Sequence, residues 1–169
     1  YGGNVYTDYR EMLEDARPDA VHLCVPHYLH PVIAEYAMRH HCSVLSEKPM
    51  AIRLEDAERC VKTAEETGVL YGVIYQCRYN TASRFVKNAL ESGKLGKIIS
   101  ARSTLTWLRS DHYYDDSDWK GTWDKEGGGV VIDQAIHSID LANWMIGSDP
   151  LYVSAGIANR GHELISVED

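Results

Sequence analysis

Several short stretches of this chain combine side chains that could do acid–base or binding chemistry. In "GGGVVIDQAIHSIDLANW", Asp133 and His137 stand four positions apart and Asp140 three further on, so a helix through them puts all three on one face. A carboxylate one turn from an imidazole can orient the ring and stabilise its protonated form, which is what a general base needs. The same spacing also suits a surface histidine with two ion-pairing neighbours. Three glycines ahead of the helix, Gly127 to Gly129, would let a ligand come close to the backbone. No third cluster of ligating residues accompanies the histidine, so no metal site is expected.

A second stretch, "VLSEKPMAI", runs an apolar strand-like segment into Glu47, Lys48 and Pro49. If the strand is parallel to its neighbours, Lys48 projects from its carboxyl end into the crevice where open α/β sheets bind ligands, and Pro49 restricts the backbone beyond it. A loop ion pair with a strand-ending proline reads the same way. In "VPHYLHPVIAEYAM" a strand ends at Val25-Pro26 and enters a helix through His27 and His30, a geometry suited to a dinucleotide's phosphate or ribose, or simply to a first helical turn. Trp119 and Trp123 in "WKGTW" offer aromatic faces among polar groups, as sugar and nicotinamide sites do, though core or interface tryptophans would look alike.

These groups must be held by the elements around them. Through about Gly96 the chain alternates strand-like and helix-like segments. "YREMLED" is an amphipathic helix with Asp8 as N-cap, "AVHLCVP" a strand, "HPVIAEYAMRHH" a helix and "CSVLSE" a strand. "LEDAERCVKTAEETG" is a helix stopping at Gly68, "VLYGVIYQ" a strand, and "TASRFVKNALESG" a helix ending at Gly93. Short connections between such segments predict parallel strands with right-handed crossovers, and hence an α/β sheet covered on both faces. Beyond Gly96, "KIISARSTLTWLRS" alternates like a half-exposed strand, "VVIDQAIHSIDLANWMIG" is a helix closed by Gly147, and "LYVSAGIAN" begins another strand. A boundary between an α/β domain and the start of an α+β domain is expected near residues 78 to 97.

Composition narrows the function. In 169 residues, 44% hydrophobic content suffices for a real core, and 25 acids against 17 bases leave a formal charge of −8 that repels a phosphate backbone. Nucleic acid is therefore not an expected partner. No apolar run approaches the roughly 20 residues of a membrane span. Cys24, Cys42, Cys60 and Cys77 are widely spaced, and Cys24 and Cys42 fall in apolar runs where thiols act as small hydrophobes, so a reducing, cytoplasmic setting is expected.

In their order along the chain, "VPHYLH", "SEKPM", "YQCRYN" and the "GGGVVIDQAIHSIDLANW" segment resemble the family named after glucose-fructose oxidoreductase, inositol dehydrogenase and the rhizopine-catabolism protein (Gfo/Idh/MocA). The resemblance implies a partial Rossmann-type parallel sheet over residues 1–80. It implies the beginning of a substrate and oligomerisation domain over 81–169, α+β with an open, mostly antiparallel sheet. It also implies an enzyme that moves a hydride between NAD or NADP and a hydroxyl carbon of a sugar, cyclitol or related polyol, working as a homo-oligomer, a dimer or tetramer. By that analogy Lys48 holds the reacting oxygen and the nicotinamide ribose, His137 takes the hydroxyl proton, and Asp133 orients substrate or imidazole. Pro26, His27, His30, Glu47, Lys48 and Gln76 line the nicotinamide half of the cofactor site. Tyr79, Trp119, Trp123, Asp133 and His137 face the substrate, and Lys48 and His137 are expected to converge on one pocket. The family commonly has Asn where this chain has His27. The glycine-rich G-x-G-x-x-G turn and its ribose-selecting acid lie outside these 169 residues, so the chain is expected to be a fragment of the enzyme, inactive by itself. A non-catalytic regulator of the same fold is the competing expectation.

Overall fold

The structure, a computed structural model, describes residues 3–169. The chain forms two compact units, one ending at Ile74 and the other beginning at Tyr75.

The first unit is α/β. Helix α1 (Tyr9–Ala16) starts where the Asp8 carboxylate accepts the Arg10 amide at 2.6 Å, satisfying one of the donors that every helix start leaves open. Strand β1 (Ala20–Leu23) is followed by a 3-10 turn (His27–Leu29) and α2 (His30–Arg39), which carries Pro31 in its first turn, where a missing amide hydrogen costs nothing. Strand β2 (Ser43–Ser46), helix α3 (Leu54–Thr67) and strand β3 (Tyr71–Val73) complete the unit. Gly68 closes α3 at φ 70°, with its amide on the Ala64 carbonyl at 2.9 Å. The sheet runs β1-β2-β3, all parallel, with Val21 opposite Val44 and Val44 opposite Tyr71. Ala34 and Ala37 on α2 keep that helix close enough to bury Leu23, Ile33, Met38, Val44 and Cys60 in one core.

Only one face of this sheet is covered, which corrects the expectation of helices on both. Val44 and Ser46 of β2 are buried while Leu45 between them is 46% exposed, and His22 and Cys24 are exposed on the same side. The reason is topological. Right-handed crossovers put successive helices on opposite faces only where the strand order reverses, and the order β1-β2-β3 never does. Cys24 is therefore a surface thiol rather than a core residue.

The second unit opens on a 3-10 turn (Gln76–Tyr79) and α4 (Thr81–Glu91), continues through the short α5 (Asp111–Asp115), and ends its regular structure in a π turn (Val131–Ala135) that runs into α6 (Ile136–Ile146). Gly147 at φ 71° terminates α6. Among the described residues this unit contains no strand, so the expected antiparallel sheet is not formed by residues 97–110 or 151–159. A strand exists only through a ladder partner, and alternation does not supply one. Both runs leave their apolar side chains in solvent: Ile99 is 96% and Tyr152 94% exposed. Among the described residues no helix is long and apolar enough to cross a membrane.

Candidate active site

In the first unit the parallel ladder brings the carboxyl ends of β1, β2 and β3 to one edge, and the loops that leave it carry most of the cofactor residues named above. The Glu47 amide donates to the Leu23 carbonyl at 2.9 Å, holding β2 to β1 one step beyond the strand, so half-buried Lys48 emerges at the sheet's rim. The Lys48–Pro49 peptide is cis and Pro49 is buried. Across from it, Pro26 caps the 3-10 turn by accepting the Leu29 amide at 2.9 Å. His27 lies in that turn, 4% exposed, its ring centre 5.8 Å from that of His30.

His30 is wholly buried, with Nδ1 2.7 Å from the Pro49 carbonyl oxygen and Nε2 2.8 Å from that of Val25. Both ring nitrogens of His30 lie within hydrogen-bond distance of backbone oxygens. It ties the loop after β1 to the loop after β2, and thereby braces the peptide that follows Lys48.

The second unit carries the proposed acid–base residues. Asp133 sits in the π turn, 9% exposed, and His137 is the second residue of α6. The stretch that joins them is thus not the continuous α-helix that the spacing suggests. π turns within helices occur frequently at functional sites. The Asp133 carboxylate accepts from the Tyr113 hydroxyl at 3.1 Å and the Gln134 amide at 3.0 Å. Burial, and after it the charge of Asp133, pushes the Tyr113 phenol above the ordinary tyrosine range, so this hydroxyl remains a donor. Asp140 does not join the pair as a relay. Its two oxygens take Arg78, one from Nε at 2.7 Å and the other from Nη2. This fixes the turn holding Gln76 and Tyr79 to α6.

The glycine run also serves a different end from the one expected. A Cβ on Gly129 would stand 1.8 Å from the Glu168 carbonyl oxygen, and one on Gly121, at φ 72°, 2.4 Å from Ile165 Cγ2. What approaches the glycines is the chain's own segment 165–169. Glu168 receives the Val130 amide on its carbonyl at 3.2 Å and the Val131 amide on Oε1 at 3.1 Å, satisfying donors at the start of the π turn. Trp123 is half-exposed and its indole N–H donates to the Ser166 carbonyl at 2.8 Å, so it too holds this segment. Trp119 is half-buried next to Lys120, whereas Gln76 and Tyr79 are exposed on their turn rather than at the end of a strand. Tyr113 and Arg78 were missed by sequence reasoning. Their partners lie 20 and 62 positions away, beyond the reach of local spacing.

Residues 1–75 match the profile of an oxidoreductase family with an NAD-binding Rossmann fold, and residues 83–169 that of the Gfo/Idh/MocA C-terminal domain. The chain is 31% identical to 1,5-anhydro-D-fructose reductase of Ensifer adhaerens over 166 residues, covering 95% of this chain and 49% of that protein. It is 28% identical to scyllo-inositol 2-dehydrogenase (NAD(+)) of Bacillus subtilis over 147 residues, 87% of this chain and 41% of the relative. Among solved structures it resembles the WlbA dehydrogenase of Bordetella pertussis in complex with NADH and UDP-GlcNAcA. That likeness has a TM-score of 0.88 at 35% identity, over 99% of this chain and 48% of the other. The chain thus spans about half the length of the relatives it matches. With the models of both family domains matched in order along it, the chain belongs to the Gfo/Idh/MocA oxidoreductase family.

Proposed function

We propose that this chain carries the catalytic residues of an NAD(P)-dependent dehydrogenase acting on a hydroxyl carbon of a sugar, cyclitol or related polyol. The observations that carry the reading are made in each unit by itself: Lys48 at the carboxyl rim of a parallel sheet in the first, and in the second a buried Asp133 carboxylate four positions ahead of His137. The rim suits a dinucleotide because the turn at Pro26–Leu29 leads directly into the start of α2, where amide hydrogens are available. Pro26, His27, Glu47, Lys48 and Gln76 are the residues we assign to the nicotinamide half. When bound, the nicotinamide supplies or accepts the hydride. Lys48 holds the reacting oxygen with a positive charge, and His137 takes or returns the hydroxyl proton, so both lower the barrier at the same oxygen. Asp133, held by the Tyr113 hydroxyl and the Gln134 side-chain amide, orients the imidazole or the substrate. Tyr79 and Trp119 are assigned to the sugar, and Trp123 to the support of the loop.

The named ligands of the relatives, NADH with a nucleotide sugar in one and an inositol substrate in another, support a ring-bearing polyol. A net charge of −8 supports a partner set without nucleic acid, and cysteines without disulfides support a cytoplasmic setting. Exposed apolar side chains at Leu151, Tyr152 and Val153 support a homo-oligomer. The test is NADH formation from a panel of sugars and inositols. Lys48→Ala and His137→Asn should each lower turnover by roughly 10² or more, the scale of a lost acid–base partner, with dinucleotide affinity falling less for His137→Asn. Turnover unchanged in both variants would turn the assignment toward a non-catalytic regulator.

A further inference from the structure

Arg109 and Lys120 are both half-buried, and no ion pair joins either to a carboxylate among the described residues. Acids are not scarce nearby. Asp111 bonds His162 at 2.7 Å, Asp118 pairs with Lys125 at 3.0 Å, and Asp116 stands 4.0 Å from His112. Arg109 and Lys120 instead flank one ring. The Arg109 guanidinium carbon is 4.7 Å and the Lys120 ammonium 3.6 Å from the centre of Tyr113. The Arg109 Nε–H is buried and donates to nothing. The hydroxyl of the same Tyr113 is bonded to Asp133, so the two cations lie one phenol ring away from that carboxylate.

A net charge of −8 disfavours an anionic substrate at long range, so a sugar bearing a negative group needs a local positive receptor to bind. A guanidinium fork and an ammonium on one ring offer the donors that a carboxylate or phosphate accepts in pairs. We propose that Arg109 and Lys120 form the receptor for an anionic substituent, carboxylate or phosphate, on the sugar that Asp133 and His137 act upon. The proposal rests on the dehydrogenase reading.

Calorimetric titration of the chain with glucose, glucuronate and glucose 6-phosphate, in the presence of NADH, tests it. At least one anionic sugar should bind about tenfold or more tightly than glucose, a difference of roughly 1.4 kcal/mol. The tighter of the two identifies the acidic group. Arg109→Gln with Lys120→Met should abolish the preference, while Arg109→Lys with Lys120→Arg, which keeps both charges, should retain most of it. Thermal melts of both pairs separate lost recognition from lost folding. Equal affinities for all three sugars, a preference that survives in the neutral pair, or no binding of either anionic sugar each overturns the proposal. Turnover of neutral sugars that depends on Lys48 and His137, without any preference for acids, would sink the receptor and leave the dehydrogenase reading intact.

Discussion

Replacing His30 with leucine should destabilise the first unit selectively. The side chain is wholly buried, and its two nitrogens lie 2.7 and 2.8 Å from the Pro49 and Val25 carbonyl oxygens. Those oxygens only accept, and a neutral imidazole donates through one nitrogen at a time, so between one and two hydrogen bonds are at stake. Each buried carbonyl left without a donor costs about 1–3 kcal/mol, which gives roughly 1–6 kcal/mol for the variant. Against a typical stability of about 5–15 kcal/mol, even the middle of that range is a large fraction. All four tryptophans lie beyond Ile74, so indole fluorescence reports the second unit and is blind to this loss. Cys42 and Cys60 are buried in the first unit, and burial raises the Cys60 thiol to about 11, so with exposed Cys24 and half-buried Cys77 replaced by serine, thiol labelling at pH 8 reports opening of that unit alone. In urea, labelling should begin at lower concentration in His30→Leu while the tryptophan transition stays in place, and His30→Gln, which can donate to one oxygen, should fall between. A labelling midpoint within about 0.5 kcal/mol of the parent would show that the bridge does not hold the two loops, because changes of that size are ordinary surface effects.

Gly129→Ala should destabilise the second unit by about 2–3 kcal/mol in a tryptophan-detected urea titration, because its Cβ would meet the Glu168 carbonyl at 1.8 Å. Gly93→Ala, which meets nothing within 4 Å but keeps φ 71°, should cost only about 1 kcal/mol, and equal losses would refute the packing argument. Glu35 links α2 to α3 through Arg39 at 2.9 Å and Arg59 at 2.8 Å. Burial opposes its ionisation, but the hydrogen bonds from Arg59 and Arg39 prevail and hold its carboxyl below the usual glutamate range. Because the folded value is the lower one, Glu35 stabilises fully above roughly pH 4–5 and loses its contribution as pH falls through the folded value. The stability difference between the parent and Glu35→Gln should therefore be present at pH 6 and shrink as the pH falls below the usual glutamate range. A difference independent of pH would rule the ion pair out.

The features legible in the sequence are those fixed by near neighbours. Asp8, Gly68 and Gly147 end their helices where the spacing places them, since a cap is decided within one turn. The three parallel strands follow from apolar runs separated by helices, and Lys48 falls at the carboxyl rim as the rule for α/β sheets requires. Three features escape such reasoning. The π turn at Val131–Ala135 keeps almost the same apolar spacing as an α-helix, so periodicity is silent about it. Eleven tyrosines offer no local sign that Tyr113 is the one bonded to Asp133. The glycine run is correctly read as a place of close approach, but which group approaches depends on Glu168, some forty residues downstream.

That last dependence has a temporal meaning. Protein synthesis proceeds from the N-terminus, and the three strands of the first unit can pair once β3 has emerged. The turn that holds Asp133 waits longer. Its amides are satisfied by Glu168 and Gly129 is walled by Glu168 and Val167, so a nascent chain that has reached His137 possesses the proposed acid–base residues without the brace that sets them. That turn is therefore completed only some thirty residues after His137 has been made. A chain stopped at Ile157 would carry every residue assigned to the reaction and still leave Asp133 on an unsupported turn.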